Sequence, residues 1–79
     1  MASAYPKACI KLYEVEGVYR VHSCMVWLDN TLAWFLGSAE KYSTRTGAYA
    51  EMQQRTMNLL REHGRTETER EVNWEMVSE

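Results

Sequence analysis

Two short turns set close together constrain this chain more than anything else in it. Glu16-Gly17 and Asp29-Asn30 are residue pairs that tolerate a left-handed backbone, and each sits between segments rich in β-branched and aromatic residues. They predict strands over residues 8–14 and 18–27 and a third strand carrying Leu32, Trp34 and Leu36, joined as two hairpins. A hairpin centred on Glu16-Gly17 places Leu12 opposite Val21, Tyr13 opposite Arg20 and Cys9 opposite Cys24. A second one centred on Asp29-Asn30 pairs Trp27 with Leu32 and Met25 with Trp34. Uniform alternation then gathers Ile10, Leu12, Tyr19, Val21, Met25, Trp27, Leu32, Trp34 and Leu36 on one apolar face. The opposite face would carry Cys9, Lys11, Tyr13, Arg20, His22, Cys24, Val26, Ala33 and Phe35, a mixed set with more apolar material than solvation requires.

Beyond the hairpins the period changes. Ala48, Met52, Thr56, Leu59 and Leu60 recur at three- and four-residue spacing, which predicts a helix over about 45–63. Ser43 or Thr44 supplies the N-cap, Glu51 and Arg55 stand at the supportive i,i+4 spacing, and His63 followed by Gly64 marks the stop. Residues 69–77 alternate again, with Val72, Trp74 and Met76 inward and Glu71, Asn73 and Glu75 outward, and read as a fourth strand with an acidic outer side. The expected fold is α+β: a βββαβ two-layer sandwich, an antiparallel sheet with one helix packed on one face. Residues 1–7 are expected to be a flexible lead-in, with Pro6 blocking early pairing, and residues 8–79 a single α+β domain.

The 79 residues leave no room for a second core, and 46% hydrophobic content is too apolar for a disordered chain. Charge is uneven. Residues 1–64 hold seven Lys/Arg and six Asp/Glu, a net of +1, whereas residues 65–79 hold two Arg and five Glu, a net of −3. This is not the basic stripe of a duplex-DNA binder, and an acidic edge suits a basic protein surface. The N-terminal stretch has no apolar signal core and no run is long enough to span a membrane, so the expected compartment is the cytoplasm, with Cys9 and Cys24 as reduced thiols.

The stretch from Ile10 to about Gly64 resembles the YegP-like domains, small bacterial modules whose biochemical role is unassigned. The matching elements are Lys11-Leu12-Tyr13, Gly17-Val18-Tyr19-Arg20, the polar turn at Asp29-Asn30, and Ser38 followed by Glu40-Lys41-Tyr42-Ser43-Thr44-Arg45 and Ala48. In that family a Ser-Glu-x-Tyr segment introduces the helix, and here one extra residue stands between Ser38 and Glu40. The chain also departs from it in having Asp29-Asn30 where Asn-Gly is usual, and in a less basic sheet with His22-Ser23-Cys24 in its second strand. The resemblance covers turns, a cap and core positions, so it bears on fold. It implies that a single copy such as this can self-associate as a homodimer, and a shared fold is only an analogy for function.

No nucleophile–base–orienter set and no phosphate-binding glycine loop can be assembled from the spacing, so an enzyme is not expected. No cofactor is expected either. Cys9 and Cys24, opposed in the proposed register and joined by His22, allow a redox-switched cross-strand pair; paired C-x-x-C spacings are absent, and no metal site is expected. The plainer reading is two soft residues filling a half-buried face. Trp27, Trp34 and Trp74 fall at inward positions and read as core.

Two candidate partner-binding surfaces remain: the sheet face with Lys11, Tyr13, Arg20, His22 and Phe35, and the acidic strand with Glu67, Glu69, Glu71 and Glu75. The expected function is a non-catalytic protein-binding module. Its concrete form is a small phage- or mobile-element-type inhibitor, an anti-CRISPR in kind, docking on a larger host protein or nucleoprotein complex that handles nucleic acid or serves defence. The alternatives are a nucleic-acid-binding domain using the same sheet face, with aromatics for stacking and cations for phosphates, and a structural homodimer of YegP-like type.

Overall fold

The computed structural model describes residues 5–79, so residues 1–4 of the lead-in expected over 1–7 lie outside the described residues. Pro6 is buried, its carbonyl accepts from the Asn73 amide at 2.9 Å, and strand β1 opens at Lys7. Strands β1 (Lys7–Val15), β2 (Val18–Leu28) and β3 (Thr31–Leu36) are followed by helix α1 (Arg45–Glu62), a 3₁₀ turn at Glu69–Glu71 and strand β4 (Asn73–Ser78). The order across the sheet is β3-β2-β1-β4, with α1 on one face. The fold is the expected α+β sandwich, but its sheet is mixed: β1, β2 and β3 pair antiparallel and β4 runs parallel to β1. The cause is direction. Two hairpins return the chain to the sense of β1 in β3, one helix reverses it, and the next strand must again run with β1.

Both hairpin turns form as the residue pairs require. Glu16 and Gly17 have φ of 53° and 79°, and Asp29 and Asn30 have 50° and 62°. Two consecutive left-handed residues make the turn whose twist matches the flanking strands. At the helix start, Thr44 rather than Ser43 is the cap, accepting from the Gly47 amide at 3.0 Å. At its end Gly64, at φ 76°, lets its own amide reach the Arg61 carbonyl and the Arg65 amide reach the Leu60 carbonyl. That pair of bonds closes the carbonyl end of the helix as a Schellman motif. His63 donates from Nδ1 to the Leu59 carbonyl and lays its ring over Trp34, with centroids 4.5 Å apart.

The register departs from uniform alternation at two places. Leu12 faces Val21 and Tyr13 faces Arg20 as expected, but Lys11 faces Ser23, leaving His22 as an extra residue in β2. Above this bulge Ile10 faces Cys24 and Cys9 faces Met25, so the expected Cys9–Cys24 opposition does not occur. In the second hairpin Trp27 faces Leu32, but Val26 faces Trp34, leaving Ala33 extra in β3. Each slip moves the side chains beyond it to the other face. Cys24 and Val26, expected outside, lie under the helix; Met25, Trp27 and Leu32, expected in the core, lie on the face the helix leaves open. Trp34 and Leu36 remain on the helix side.

The core lies between α1 and the middle of the sheet. Ile10, Leu12, Val21 and Cys24 meet Ala48 and Met52 in one cluster, and Ala8, Val26 and Val72 meet Met57 and Leu60 in another, with Trp74 and Leu36 reaching both. Small side chains stand where the layers approach. Cys24 Sγ lies 3.5 Å from the Thr56 hydroxyl, which donates to the Met52 carbonyl at 2.8 Å, so the polar atom of this buried threonine is satisfied. Tyr42 bridges to Tyr19 through two backbone hydrogen bonds and ties the loop after β3 to β2. The expected strand over 69–77 begins only at Asn73, because Glu71 folds back on Thr68 in a capping box around the 3₁₀ turn. No helix among the described residues is long and apolar enough to cross a membrane.

Two substitutions test the backbone reading by thermal denaturation followed by circular dichroism. Gly64→Ala keeps the fold but forces a side chain into left-handed backbone, lowering stability by about 1 kcal/mol and Tm by roughly 5 °C. Glu16→Asn places a residue that accepts φ of 53° in the first turn and raises stability by about 0.5 kcal/mol.

Candidate functional site

The two bulges give the open face of the sheet its character. One end is apolar: Leu32 and Phe35 on β3, Met25 and Trp27 on β2 and Cys9 on β1 share this face in adjacent register positions. Phe35 is 65% exposed and Leu32 44%, while Met25 and Trp27 are half-buried. Phe35 is the most exposed large hydrophobic residue among the described residues. The end nearer the Glu16-Gly17 turn is polar and carries Lys11, Tyr13, Arg20 and His22. Tyr13 lies four residues along β1 from Cys9, about 13 Å at the usual rise of a strand. All of the sheet-face residues singled out in the sequence therefore share this face, but Phe35 belongs to its apolar end and the others to its polar end.

The polar end is largely engaged with itself. The Tyr13 and His22 rings meet edge to face with centroids 6.2 Å apart, and His22 Nδ1 donates to the Glu79 carboxylate. Arg20 Nη1 reaches the Ala39 carbonyl at 3.5 Å; at the other end of β1, opposite Trp27, Lys7 pairs with Glu75 at 3.4 Å across β1 and β4. Lys7 and His22 are each paired with a carboxylate, so Lys11 and Arg20 are the cations left on this face, too few to follow a phosphate backbone.

The expected acidic strip along one strand does not form. Only Glu75 is on β4, where it faces Cys9 and Lys7 stands beside it. Glu69 and Glu71 belong to the 3₁₀ turn, and the Glu71 carboxylate accepts from the Thr68 amide at 2.8 Å. The Glu69 carbonyl accepts from the Trp74 indole at 2.9 Å. Glu67 lies in the preceding loop, its side chain only 16% exposed, and takes two hydrogen bonds from Arg65, at 3.1 and 2.6 Å. Those bonds hold the Glu67 carboxyl below its ordinary pKa.

The redox pair fails on the same register. Cys24 points into the core beside Thr56, whereas Cys9 is on the open side between Met25 and Glu75, so their thiols diverge across the sheet. Burial first, then the Glu75 carboxylate, push the Cys9 thiol above its ordinary pKa; burial pushes Cys24 up, against the hydrogen bond with Thr56. Both are protonated and poorly nucleophilic at neutral pH. His22 and Cys9 stand on the opposite side of the sheet from Cys24, so these three do not converge on a metal, and no other such cluster occurs among the described residues.

The segment from Ser38 to Tyr42 is a brace. Ser38 accepts from the Glu40 amide at 3.1 Å and bonds the Tyr42 hydroxyl at 3.0 Å, and that hydroxyl donates to Glu40 at 3.2 Å. Arg55 donates to Glu40 at 3.1 Å and to Glu51 at 2.9 Å, locking the loop to the helix. These motif residues hold the crossover, and their polar groups are spent on one another.

Sequence reasoning missed Met25, Trp27 and Leu32 as surface residues. The available signal was polarity: strict alternation puts Ser23 under the helix and leaves Val26 outside, an arrangement that one inserted residue reverses.

The Arg65–Glu67 contact predicts a specific pH response. Because the folded pKa is lowered, the contact stabilises the fold above the ordinary carboxylate pKa of 4.5, and the contribution is lost as pH falls through the folded value. Glu67→Gln is therefore less stable than the parent at pH 7, by about 1 kcal/mol or less, and the urea midpoints of the two converge as pH falls below the ordinary carboxylate range.

No family model, curated protein or solved structure matches this chain. The resemblance to YegP-like domains thus rests on the motif residues alone, several of which form the brace just described.

Proposed function

We propose that this protein is a non-catalytic protein-binding module whose docking surface is the apolar end of the open sheet face. One observation carries the reading: Phe35 and Leu32 stand exposed beside half-buried Met25 and Trp27, on a face that no other element among the described residues covers. A partner that buried Phe35 and Leu32, 65% and 44% exposed, would gain from each roughly half of the 1.5–3 kcal/mol that a fully exposed side chain offers. Trp27 between them and the charged rows is placed as aromatic anchors are in protein interfaces. Lys7, Lys11, Glu75 and Glu79 border the patch and supply the polar rim that fixes orientation.

The net charge of −3 over residues 65–79 favours a basic partner. A host nucleic-acid-handling or CRISPR-type defence assembly, met by a phage-type inhibitor, is the narrower form of this proposal. Direct nucleic-acid binding is the less supported reading, because Lys7 and His22 are already paired with carboxylates on the same face.

The test is retention of a partner by tagged protein from host lysate, with nuclease present, comparing the parent with Phe35→Asp. Phe35 is exposed, so the variant folds normally by circular dichroism. Retention falls at least about tenfold in the variant and changes little between about 50 and 200 mM salt in the parent. A partner held equally by both proteins, or one lost on nuclease treatment, overturns the assignment.

A further inference from the structure

Strand β4 is the outermost strand on its side of the sheet, and its register with β1 runs from Asn73 to Ser78 without a break. In a parallel pair, alternate residues turn both amide and carbonyl toward the neighbouring strand. The Asn73 amide bonds to the Pro6 carbonyl and the Glu79 amide to the Leu12 carbonyl, which puts the odd-numbered residues in the ladder with β1. Trp74, Met76 and Ser78 therefore turn their amides and carbonyls outward, and among the described residues no backbone partner meets them there. The other edge of the sheet is interrupted by the bulge at Ala33, whereas this one is regular along its whole length.

The side chains beside this edge differ by face. Trp74 and Met76 stand opposite Ala8 and Ile10, on the helix side of the sheet. Helix α1 lies over β1 and β2 and leaves this flank open, so Trp74 is only half-buried and Met76 is 42% exposed. On the opposite side Glu75 and Glu79 remain about half exposed in spite of their contacts with Lys7 and His22. The segment 65–79 around them carries the net charge of −3.

We infer that β4 receives an extended basic segment of another protein as a fifth strand, one in which apolar residues alternate with Lys or Arg. Main-chain bonds to Trp74, Met76 and Ser78 hold such a segment whatever its sequence, and its alternating side chains supply the selection. Its apolar residues fall on the helix side, where they cover Met76 and the outer flank of Trp74. Its basic residues fall on the other side, beside Glu75 and Glu79, as opposite charges on neighbouring strands. An acidic segment in the same place would bring like charge onto those carboxylates and is rejected. The six residues of β4 set the length that can pair, so a free peptide binds weakly and a segment held in place by a larger partner binds better. This inference does not rest on the docking role proposed above: it uses the backbone and helix side of β4, not the apolar end of the open face.

The experiment is residue-resolved hydrogen exchange by NMR on the full chain, with an end-capped peptide of Arg-Val repeats as the probe. At about 1 mM peptide the amides of Trp74, Met76 and Ser78 are expected to slow about threefold or more, while those of residues 31–36 do not. A peptide of Glu-Val repeats is expected to leave all of them unchanged. Met76→Pro deletes an outward amide without removing a bond to β1, and it abolishes the protection at Trp74 and Ser78. Glu75→Gln leaves the backbone intact and weakens the basic peptide by about threefold or more, which keeps the test decisive should the proline variant fold poorly. No protection in the parent, equal protection by the acidic peptide, or protection of residues 31–36 instead each overturns the inference. So does slowing at Trp74, Met76 and Ser78 with protein concentration alone, which would make the occupant a second copy.

Discussion

The extra residue at His22 in β2 is the constraint on which the rest of the molecule depends. Below it Leu12 and Val21 point at the helix by simple alternation; above it the same alternation is inverted, and Cys24 and Val26 take the places that Ser23 and Met25 would have held. The substitution is favourable in volume as well as polarity. Helix α1 buries Ala48 and Thr56, and Cys24 is small enough to sit 3.5 Å from the Thr56 hydroxyl. Met25, which unbroken alternation would set under the helix in place of the smaller Val26, would hold the layers apart, and interiors do not tolerate the gap that follows. The second bulge at Ala33 repeats the correction in β3 and brings Trp34 back under the helix beside Val26.

Chain direction imposes the other large feature. With β1, β2 and β3 joined by two-residue turns, β1 and β3 run the same way, and the single helix returns the chain to the end from which both began. The strand after it must run with them. Since β2 is the centre of the hairpin pair, β4 has only parallel neighbours available, and it takes the β1 edge. The mixed sheet was therefore implicit in the order of elements. Treating four strands as one antiparallel meander ignored the direction that the helix consumes.

Much of the rest was legible because it is local. The left-handed turns, the Thr44 cap, the Gly64 stop and the face of α1 each depend on a few consecutive residues, and their chemistry is written in those residues. Register beyond a bulge is not local. The decision to insert His22 is made by what the helix can accept against Cys24, and its one local trace is the polar Ser23 at a position that strict alternation would bury. The same holds for the acidic segment: Glu67, Glu69 and Glu71 alternate as a strand would, but Arg65 and Thr68 offer closer partners and fold them into a loop and a 3₁₀ turn. Placement of Lys11, Tyr13, Arg20, His22 and Phe35 on the open face survived because the first four lie near the turn and Phe35 lies beyond both slips, which cancel in parity.

One helix cannot cover everything this sheet carries. α1 packs over β1 and β2, and Trp34 on β3 is only partly covered, by the Met57–Leu60 cluster and by the ring of His63 at the helix end. A chain of this size with three Trp and five Tyr must place apolar side chains somewhere else, and the bulges select which ones. They send Cys24 and Val26 inward and the larger Met25, Trp27 and Leu32 outward, where these join Phe35. Scattered apolar residues on a surface need no explanation, but a contiguous set built by two register slips is a different object. Burying smaller groups gains less core stability than burying larger ones would, so the arrangement gives up some stability in exchange for shape. Among the described residues the open face is thus where Phe35 and Leu32 stand exposed beside half-buried Met25 and Trp27, and that contiguity is the ground of the proposed docking role.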